Sequence, residues 1–589
     1  MMRKQLEDKY HALTQYFDIC DESSKKHINK IIKESLYHFV NSCETPAIWC
    51  YGKHTKMLMT DFIFEMKGVR LIVDETHKGE EGSGFSIIGQ EQITKNKIDG
   101  IIISSFKYKE EIKSILKAQY KDIRYLDIYD ALEKNGIFLA NEYFESSHPY
   151  GHYLLINEYK RKLKNNILEV ERQEIYTNLI REYIKIKDFQ NAILWVQRQE
   201  KQNNIKPHIL SDLQELYNLQ QEAVSEISDK NVVMICIDGL RRQDFFSRHL
   251  NKLRHMLEES AYVFRNAYSV STSTYESLIP AYSQNSDLRT GYYETNSVKE
   301  ENCIFIQTAI EQKRKIHFYT DSVSYINSDK IQVTDFTQSV TEKIWDFILD
   351  AVEEENGLFY IHILYESHFS YPNPYTEEKI IADGSSILFD FLSKNGGNLR
   401  TDYETQHKDA ISYIDDVLYP LLVNLKARFV LFADHGNIIL PKNTKLGDIS
   451  YVQNTFHEDL IQIPLVMKSP EMGVAVNDDI ISLISINDIL VSLLKREKYI
   501  PNKNKFIKIM RSELYNPDFC FLYKKNKHGR GLLAFEGFIF DEGYKLIVYA
   551  DGVTELYKSE NDQIINDNIK KNELINRIKD AVTVTDRLV

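Results

Sequence analysis

Three stretches constrain this chain more than any others: NVVMICIDGL from residue 231, LFYIHILYESH from 358 and ARFVLFADHG from 427. Each is an apolar run of strand length that ends in polar, reactive residues. A run without alternation is buried on both faces, which is how the strands of a parallel sheet read. Helical segments such as SVTEKIWDFILDAVEEE and TQHKDAISYIDDVLYPLLVNLK separate them. The pattern predicts an open α/β sheet, and ligands of such sheets gather beyond the carboxyl ends of the strands. Asp238, His368 and the Asp434–His435 pair are therefore expected at one sheet edge.

The residue types at that edge point to a cation. Asp-Gly at 238–239 alone usually marks a cap or a turn. An acid and an imidazole side by side, as in ADHG, offer a hard oxygen and a borderline nitrogen, a set suited to zinc or manganese. Asp238, Asp434 and His435 leave a tetrahedral ion one open position. The hydroxyl-rich stretch STSTYESLIP at 271–280 can fill it. A threonine hydroxyl does not attack at neutral pH unless its pKa is lowered, and a bound divalent cation does that. Thr274 is thus expected as the fourth ligand and the nucleophile. Zinc is the expected ion, with manganese or magnesium as alternatives.

The remaining chain is organised differently. Its 589 residues are too many for one core. Residues 1–44 read as amphipathic helix. From 45 to 130 strands alternate with helices: PAIWCY, a GKHTK turn, helical MLMTDFIFEMKG, then VRLIVDE, IDGIIISS and IRYLDIY. That rhythm predicts a Rossmann-like parallel sheet. Asp74 stands 22 positions after Gly52, near where a dinucleotide fold places a ribose-binding acid. Only one glycine of the phosphate fingerprint is present, so nucleotide or sugar binding competes there with a scaffold role. Residues 150–230 have the texture of a tetratricopeptide-like helical connector. The expected domains are 1–148, 149–229 and 230–589. The formal net charge of −13 opposes a broad nucleic-acid surface. The N-terminus lacks the apolar core of a secretory signal, IISLISINDILVSLL is too short to span a bilayer, and six scattered cysteines form no disulfide framework. A cytoplasmic protein with no membrane span is expected.

In this order, IDGLRR, STSTYESLIP, YESHFSYP, ADHG and FHEDLIQIPLV resemble the alkaline phosphatase superfamily, in its sulfatase-like branch with the phosphoethanolamine and phosphoglycerol transferases. The resemblance covers about 231–570. It implies an alkaline phosphatase/sulfatase-like fold with a small C-terminal antiparallel sheet, the latter matched by GYKLIVYADGVTELYKSENDQIINDN. The transferases' Thr-x-Thr-x-x-Ser-x-Pro segment places Thr272, Thr274 and Ser277 in register, with Pro280 one residue late. The resemblance carries the metal acids and imidazole onto Asp238, Asp434 and His435, and the nucleophile onto Thr274. It makes His368 and His457 substrate-side residues, suited to protonating the leaving group, or ligands of a second ion. Arg241 is a candidate phosphate clamp, with helix surface as its alternative. Two departures matter. The Cys-x-Pro-Ser-Arg of true sulfatases is absent, which disfavours sulfate ester hydrolysis, and position 239 is Gly where sulfatases carry a second Asp.

The resulting expectation is a transferase. It moves a substituted phosphoryl group, such as a phosphoethanolamine-, phosphoglycerol- or phosphoramidate-like one, from an activated donor, for instance CDP-linked, to a sugar hydroxyl of a surface glycan. A covalent phospho-Thr274 is the intermediate. The alternatives are a phosphodiesterase or phosphatase that uses water, and a non-catalytic binding module. Among the other polar residues, His362 reads as packed core, His407 as surface, and Asp415 and Asp416 as the polar side of a helix. Glu276 reads either as an orienting residue or as a solvated loop residue.

Overall fold

The computed structural model describes residues 1–17, 19, 22–79, 81–82, 85–137, 149–200, 208–284, 297–321, 324–334, 337–368, 371–377, 397–438, 456–512, 530, 533–558 and 564–583. The chain forms two compact units. One spans Glu7–Gln214; the other takes Met1–Leu6 and the described chain from Glu215 onward.

The first unit contains β1 (Pro46–Trp49), β2 (Leu71–Val73), β3 (Glu81–Gly82), β4 (Phe85–Ile88), β5 (Gly100–Ile103) and β6 (Arg124–Asp127). They form one sheet in the order β3-β4-β2-β1-β5-β6, parallel except for β3. The central strands β1, β2 and β5 are apolar throughout because both faces are covered. Ile48, Ile72 and Ile102 pack with Ile32, Leu36 and Leu58 on one face; Ala47, Ile101 and Ile103 pack with Ile112 and Leu116 on the other. The strands predicted from PAIWCY, VRLIVDE, IDGIIISS and IRYLDIY are all present, and the Rossmann-like expectation holds. Two details differ. The helix after β1 begins within GKHTK, at Lys53, and ends at Asp61. It starts early because Cys50 adopts a left-handed turn (φ 82°) and the Thr55 hydroxyl donates to the Cys50 carbonyl at 2.6 Å. The short β3 and β4 were not expected, since the glycines of EEGSGF mask so brief a ladder. The expected single N-terminal helix is two, Met2–Tyr16 and Glu22–Asn41. Helices Pro149–Leu163, Glu169–Lys185 and Phe189–Glu200 follow the sheet.

In the second unit, β7 (Val232–Ile237), β8 (Tyr262–Tyr268), β10 (Lys315–Tyr319), β12 (Ile331–Val333), β13 (Gly357–Ile363), β14 (Arg428–Phe432), β15 (Gln462–Lys468) and β16 (Ala475–Ser482) build a large sheet; β9 (Val298–Lys299) and β11 (Ile326–Asn327) form a separate small pair. The large sheet has the order β12-β10-β13-β7-β14-β15-β8-β16. β15 alone runs against its neighbours β14 and β8. The three strands singled out in the sequence are neighbours, with Ile235 of β7 opposite Ile361 of β13 and Leu431 of β14. Because β15 is reversed, the segment that precedes it shares an edge with the segments that follow β7, β13, β14 and β8. Five approaches to one edge result.

The C-terminal stretch forms the expected antiparallel sheet: β17 (Phe506–Arg511), β18 (Phe535–Phe540), β19 (Tyr544–Tyr549) and β20 (Thr554–Lys558) in sequential order. Phe538, Leu546 and Leu556 pack there with Leu574 and Ile578 of the helix Asn568–Ile578. Among the described residues, no helix is long and apolar enough to cross a membrane.

Candidate active site

Two glycines allow the strand ends of β7 and β14 to approach each other. Asp238 is the first residue beyond β7, and Gly239 turns the chain with φ 66°. A Cβ at 239 would also lie 2.2 Å from the Asn437 side-chain nitrogen. The Gly239 amide donates to Asp434 Oδ1 at 3.0 Å, which joins the two strand ends. Gly436 is required for a different reason: a Cβ there would fall 1.9 Å from the Asp459 carbonyl oxygen.

Asp238, Asp434 and His435 are buried, and one ligand atom of each lies within 4.8 Å of the others. His435 Nδ1 donates to the Gly436 carbonyl at 2.7 Å. That bond leaves the Nε2 lone pair of the neutral ring facing inward. Nε2 is 3.4 Å from Asp434 Oδ2 and 3.3 Å from the Thr274 hydroxyl. The Thr274 hydroxyl itself donates to Asp238 Oδ2 at 3.1 Å. Thr274 is the first residue of the helix Thr274–Ser283, so it carries the positive end of that helix's peptide dipoles. The loop that delivers it from β8 is tied by Ser277, whose hydroxyl accepts from the Ser271 amide and donates to the Ser271 carbonyl, both at 3.0 Å. The displaced proline, Pro280, lies inside the helix.

The electrostatics of this group call for a cation. Burial pushes the Asp238 carboxyl up, but His362, His368 and His435 outweigh it and hold the group well below the usual carboxylate range. Asp434 is pushed up by burial and by the adjacent Asp238 charge. Asp238 Oδ1 and Asp434 Oδ2 are buried with no hydrogen-bond partner among the described residues. A buried acceptor without a donor is costly, and two such carboxylates side by side are costlier still. Two carboxylates, an imidazole nitrogen and a hydroxyl fit a divalent cation, which would satisfy both orphaned oxygens at once.

The other predicted residues surround this group. His368 is half-buried, in the turn that follows β13, and its imidazole acts through space on Asp238. His457 caps the short helix Glu458–Ile461, where its Nδ1 accepts from the Asp459 amide at 3.1 Å. Arg241 is engaged elsewhere: its guanidinium forks onto Asp244 at 2.7 and 2.6 Å and lies 3.7 Å from Asp459.

Several bland readings need correction. His362 is buried, as a core residue would be, but its Nε2 is 3.4 Å from Asp238 Oδ2. The apolar pattern of YIHIL hid that contact. His407 is not on the surface: it is buried 3.5 Å from Asp244, with Tyr371 packed edge-on against its ring. Asp415 is likewise buried and accepts the backbone amides of Lys252 and Leu253, which caps the helix Asn251–Ser260. Asp416 is only partly exposed and pairs with Lys252 at 2.6 Å. Glu276 is not solvated; it is buried in the first turn of the Thr274 helix. Its partner Arg511 gave no signal in the sequence.

Residues 230–496 match the family model described as Sulfatase. Over those residues the chain is similar to sulfatases, and they include Asp238, Thr274, Asp434 and His435. No curated protein matches the chain. Among solved structures, it is similar to a putative sulfatase from Bacteroides thetaiotaomicron, with 12% identity over 60% of this chain and 91% of that one and a TM-score of 0.43. It is similar to the C-terminal periplasmic domain of Escherichia coli EptC in complex with Zn, with 15% identity over 46% and 83% and a TM-score of 0.33. A third is the soluble domain of lipooligosaccharide phosphoethanolamine transferase A from Neisseria meningitidis, with 16% identity over 45% and 88% and a TM-score of 0.34.

Proposed function

We propose that the protein transfers a substituted phosphoryl group through Thr274. The observation that carries this reading is the position of the Thr274 hydroxyl. It sits at a helix N-terminus, 3.1 Å from Asp238 and 3.3 Å from His435, beside two carboxylate oxygens that no protein donor satisfies. Asp238, Asp434, His435 and Thr274 would hold one divalent ion, zinc being the candidate. Bound there, it supplies Lewis acidity that lowers the hydroxyl pKa and offsets phosphoryl charge.

In the first half-reaction Thr274 Oγ1 forms a bond to phosphorus as the bond to the donor's leaving oxygen breaks. The leaving oxygen keeps the electron pair and takes a proton from His368 or His457; the threonine proton passes to solvent. In the second half an acceptor hydroxyl attacks phosphorus and yields its proton to the imidazole left neutral. The Oγ1–P bond breaks, and Oγ1 recovers its pair and then a solvent proton. A donor activated by a nucleotide such as CDP and a sugar hydroxyl as acceptor suit this scheme. A cytoplasmic setting agrees with the free thiols of Cys43, Cys236 and Cys303 among the described residues.

The test is intact-mass analysis of the zinc-loaded chain after incubation with CDP-linked alcohols. A mass adduct on the parent that Thr274→Ala abolishes is expected. Hydrolysis of the donor without any acceptor dependence would turn the assignment to a phosphodiesterase. Metal bound with neither adduct nor turnover would favour a binding module.

A further inference from the structure

The helix that carries Thr274 is held by a strand from the other end of the chain. Arg511 is the last residue of β17 in the C-terminal sheet, and Glu276 lies in the first turn of the Thr274 helix. Both side chains are buried, and Arg511 Nη1 stands 2.9 Å from Glu276 Oε2. The same nitrogen donates to the hydroxyl of Ser273, the residue immediately before Thr274. The Ser271 hydroxyl donates to Glu276 Oε2 at 2.9 Å, and the Ser512 amide to Oε1 at 3.3 Å. One residue earlier, the Met510 amide donates to the Val270 carbonyl at 2.9 Å. The segment from Val270 to Glu276 is thus bonded on both sides of Thr274 to one short length of β17.

The helix needs that support. Ser273 makes no side-chain cap to its own helix, because its hydroxyl faces Arg511. Glu276 occupies the place from which a capping-box glutamate reaches back to the N-cap amide; here it turns to Arg511 instead. Pro280 lacks an amide, so the Glu276 carbonyl loses its partner in the helix ladder. The first turn is therefore held by a buried ion pair whose partners are 235 residues apart, in addition to its own bond from the Ser277 amide to the Ser273 carbonyl at 2.9 Å.

We infer that Arg511 and Glu276 are positioning residues: their ion pair sets the placement of the Thr274 hydroxyl and so couples the C-terminal sheet to nucleophilic attack. This rests on the reading of Thr274 as nucleophile. The contacts described for the pair run to Ser271, Ser273 and Ser512, and none of these is a carboxylate or imidazole of the cation group. Its loss should therefore lower the rate of attack and spare both metal content and substrate affinity.

The zinc-loaded full chain is tested with bis(p-nitrophenyl) phosphate. Thr274 Oγ1 bonds to phosphorus, p-nitrophenolate departs with the electron pair, and the hydroxyl proton goes to solvent. The double variant Glu276→Gln/Arg511→Met removes both charges together, which avoids burying one alone. Expected are parent-like zinc content, a KM within about twofold, and adduct formation slower by about a hundredfold, the size of effect that a roughly 1 Å misplacement produces. A folded, zinc-loaded double variant that forms the adduct at the parent's rate overturns the inference. Should that variant fail to fold, Arg511→Lys decides. It keeps the charge but withdraws the guanidinium Nη1 that bridges Ser273 and Glu276, and an unchanged rate overturns the inference, whereas a fall of about tenfold or more with KM unchanged upholds it. A parent chain that gives no adduct sensitive to Thr274→Ala overturns the reading of Thr274, and the positioning role with it.

Discussion

The two parallel sheets deliver acids to the same kind of edge, and they treat them in opposite ways. In the Rossmann-like sheet, Asp74 follows β2. Its Oδ2 accepts from the Tyr51 amide at 2.8 Å, and its Oδ1 from the Thr76 and His77 amides at 2.9 and 3.1 Å. Asp127 ends β6 with Lys113 Nζ 2.6 Å from one oxygen and the Tyr129 amide 2.9 Å from the other. Glu110, Asp127 and Asp130 also cluster closely enough to hold a metal, yet Lys113 already lies 2.6–3.0 Å from all three. In the second unit, by contrast, Asp238 and Asp434 each keep a buried oxygen that is paired with no lysine or arginine among the described residues, only with imidazoles. Topology explains why acids collect at these edges. Only the unmet acceptor capacity separates a cation site from an internal staple. The ribose role that Asp74's position suggested finds both of its oxygens already taken.

The largest effect should come from breaking the unsatisfied side. Asp434→Ala is expected to remove bound zinc and to lower turnover on the order of 10³-fold, about 4 kcal/mol of transition-state stabilisation. Metal analysis and steady-state rates check it. The matching change in the satisfied edge, Asp74→Ala, should leave both untouched and only loosen its own sheet.

Stability gives the comparison a second measure. Lys113→Met strands the Asp127 carboxylate, which is fully buried, and should cost about 3–5 kcal/mol. Asp434→Asn should do the reverse in metal-free protein. It removes one of two buried like charges and should raise stability by roughly 1–2 kcal/mol. Urea unfolding after exhaustive chelation reads both. A metal-free Asp434→Asn protein less stable than its parent would mean that a protein group already satisfies that carboxylate.

Much of this contrast was legible in the sequence. Three unalternating apolar runs ending in Asp-Gly, Ser-His and Asp-His were enough to place Asp238, His368 and the Asp434–His435 pair at one sheet edge; that β13, β7 and β14 are immediate neighbours is a finding of the structure. The close approaches that Gly239 and Gly436 permit were not read from the sequence. What escaped were contacts whose meaning lies in the partner. His362 sits in a strand pattern that says only "buried", although its ring faces Asp238. His407 sits on a helix whose composition says "exposed", although the helix is buried at that position. Glu276 and Arg511 are each ordinary charged residues, and nothing local reports that they meet. Helical and strand periodicity encode which face is covered; they carry no information about which polar groups face each other across the core.

His407 provides the smallest and most specific test, because it is a buried imidazole of the second unit that lies outside the Asp238–Asp434–His435 cluster. Asp244, Arg241, Tyr371, His249 and Lys408 are the titratable groups acting on it. Burial dominates and holds its pKa down to about 3, against an ordinary 6.5, with Asp244 opposing. Below pH 6.5 the unfolded chain therefore binds a proton that the folded chain refuses. The sign follows: stability falls as pH drops from 6.5 towards 3, with a slope of about 1.4 kcal/mol per pH unit from this residue alone. His407→Asn should flatten that loss. Between pH 6.5 and 5.5 the parent should lose about 1 kcal/mol more than the variant, read from urea midpoints at the two pH values. Identical slopes would mean that water reaches the ring in the folded protein, and that this part of the second unit is less tightly closed than the packing of Tyr371 on His407 implies.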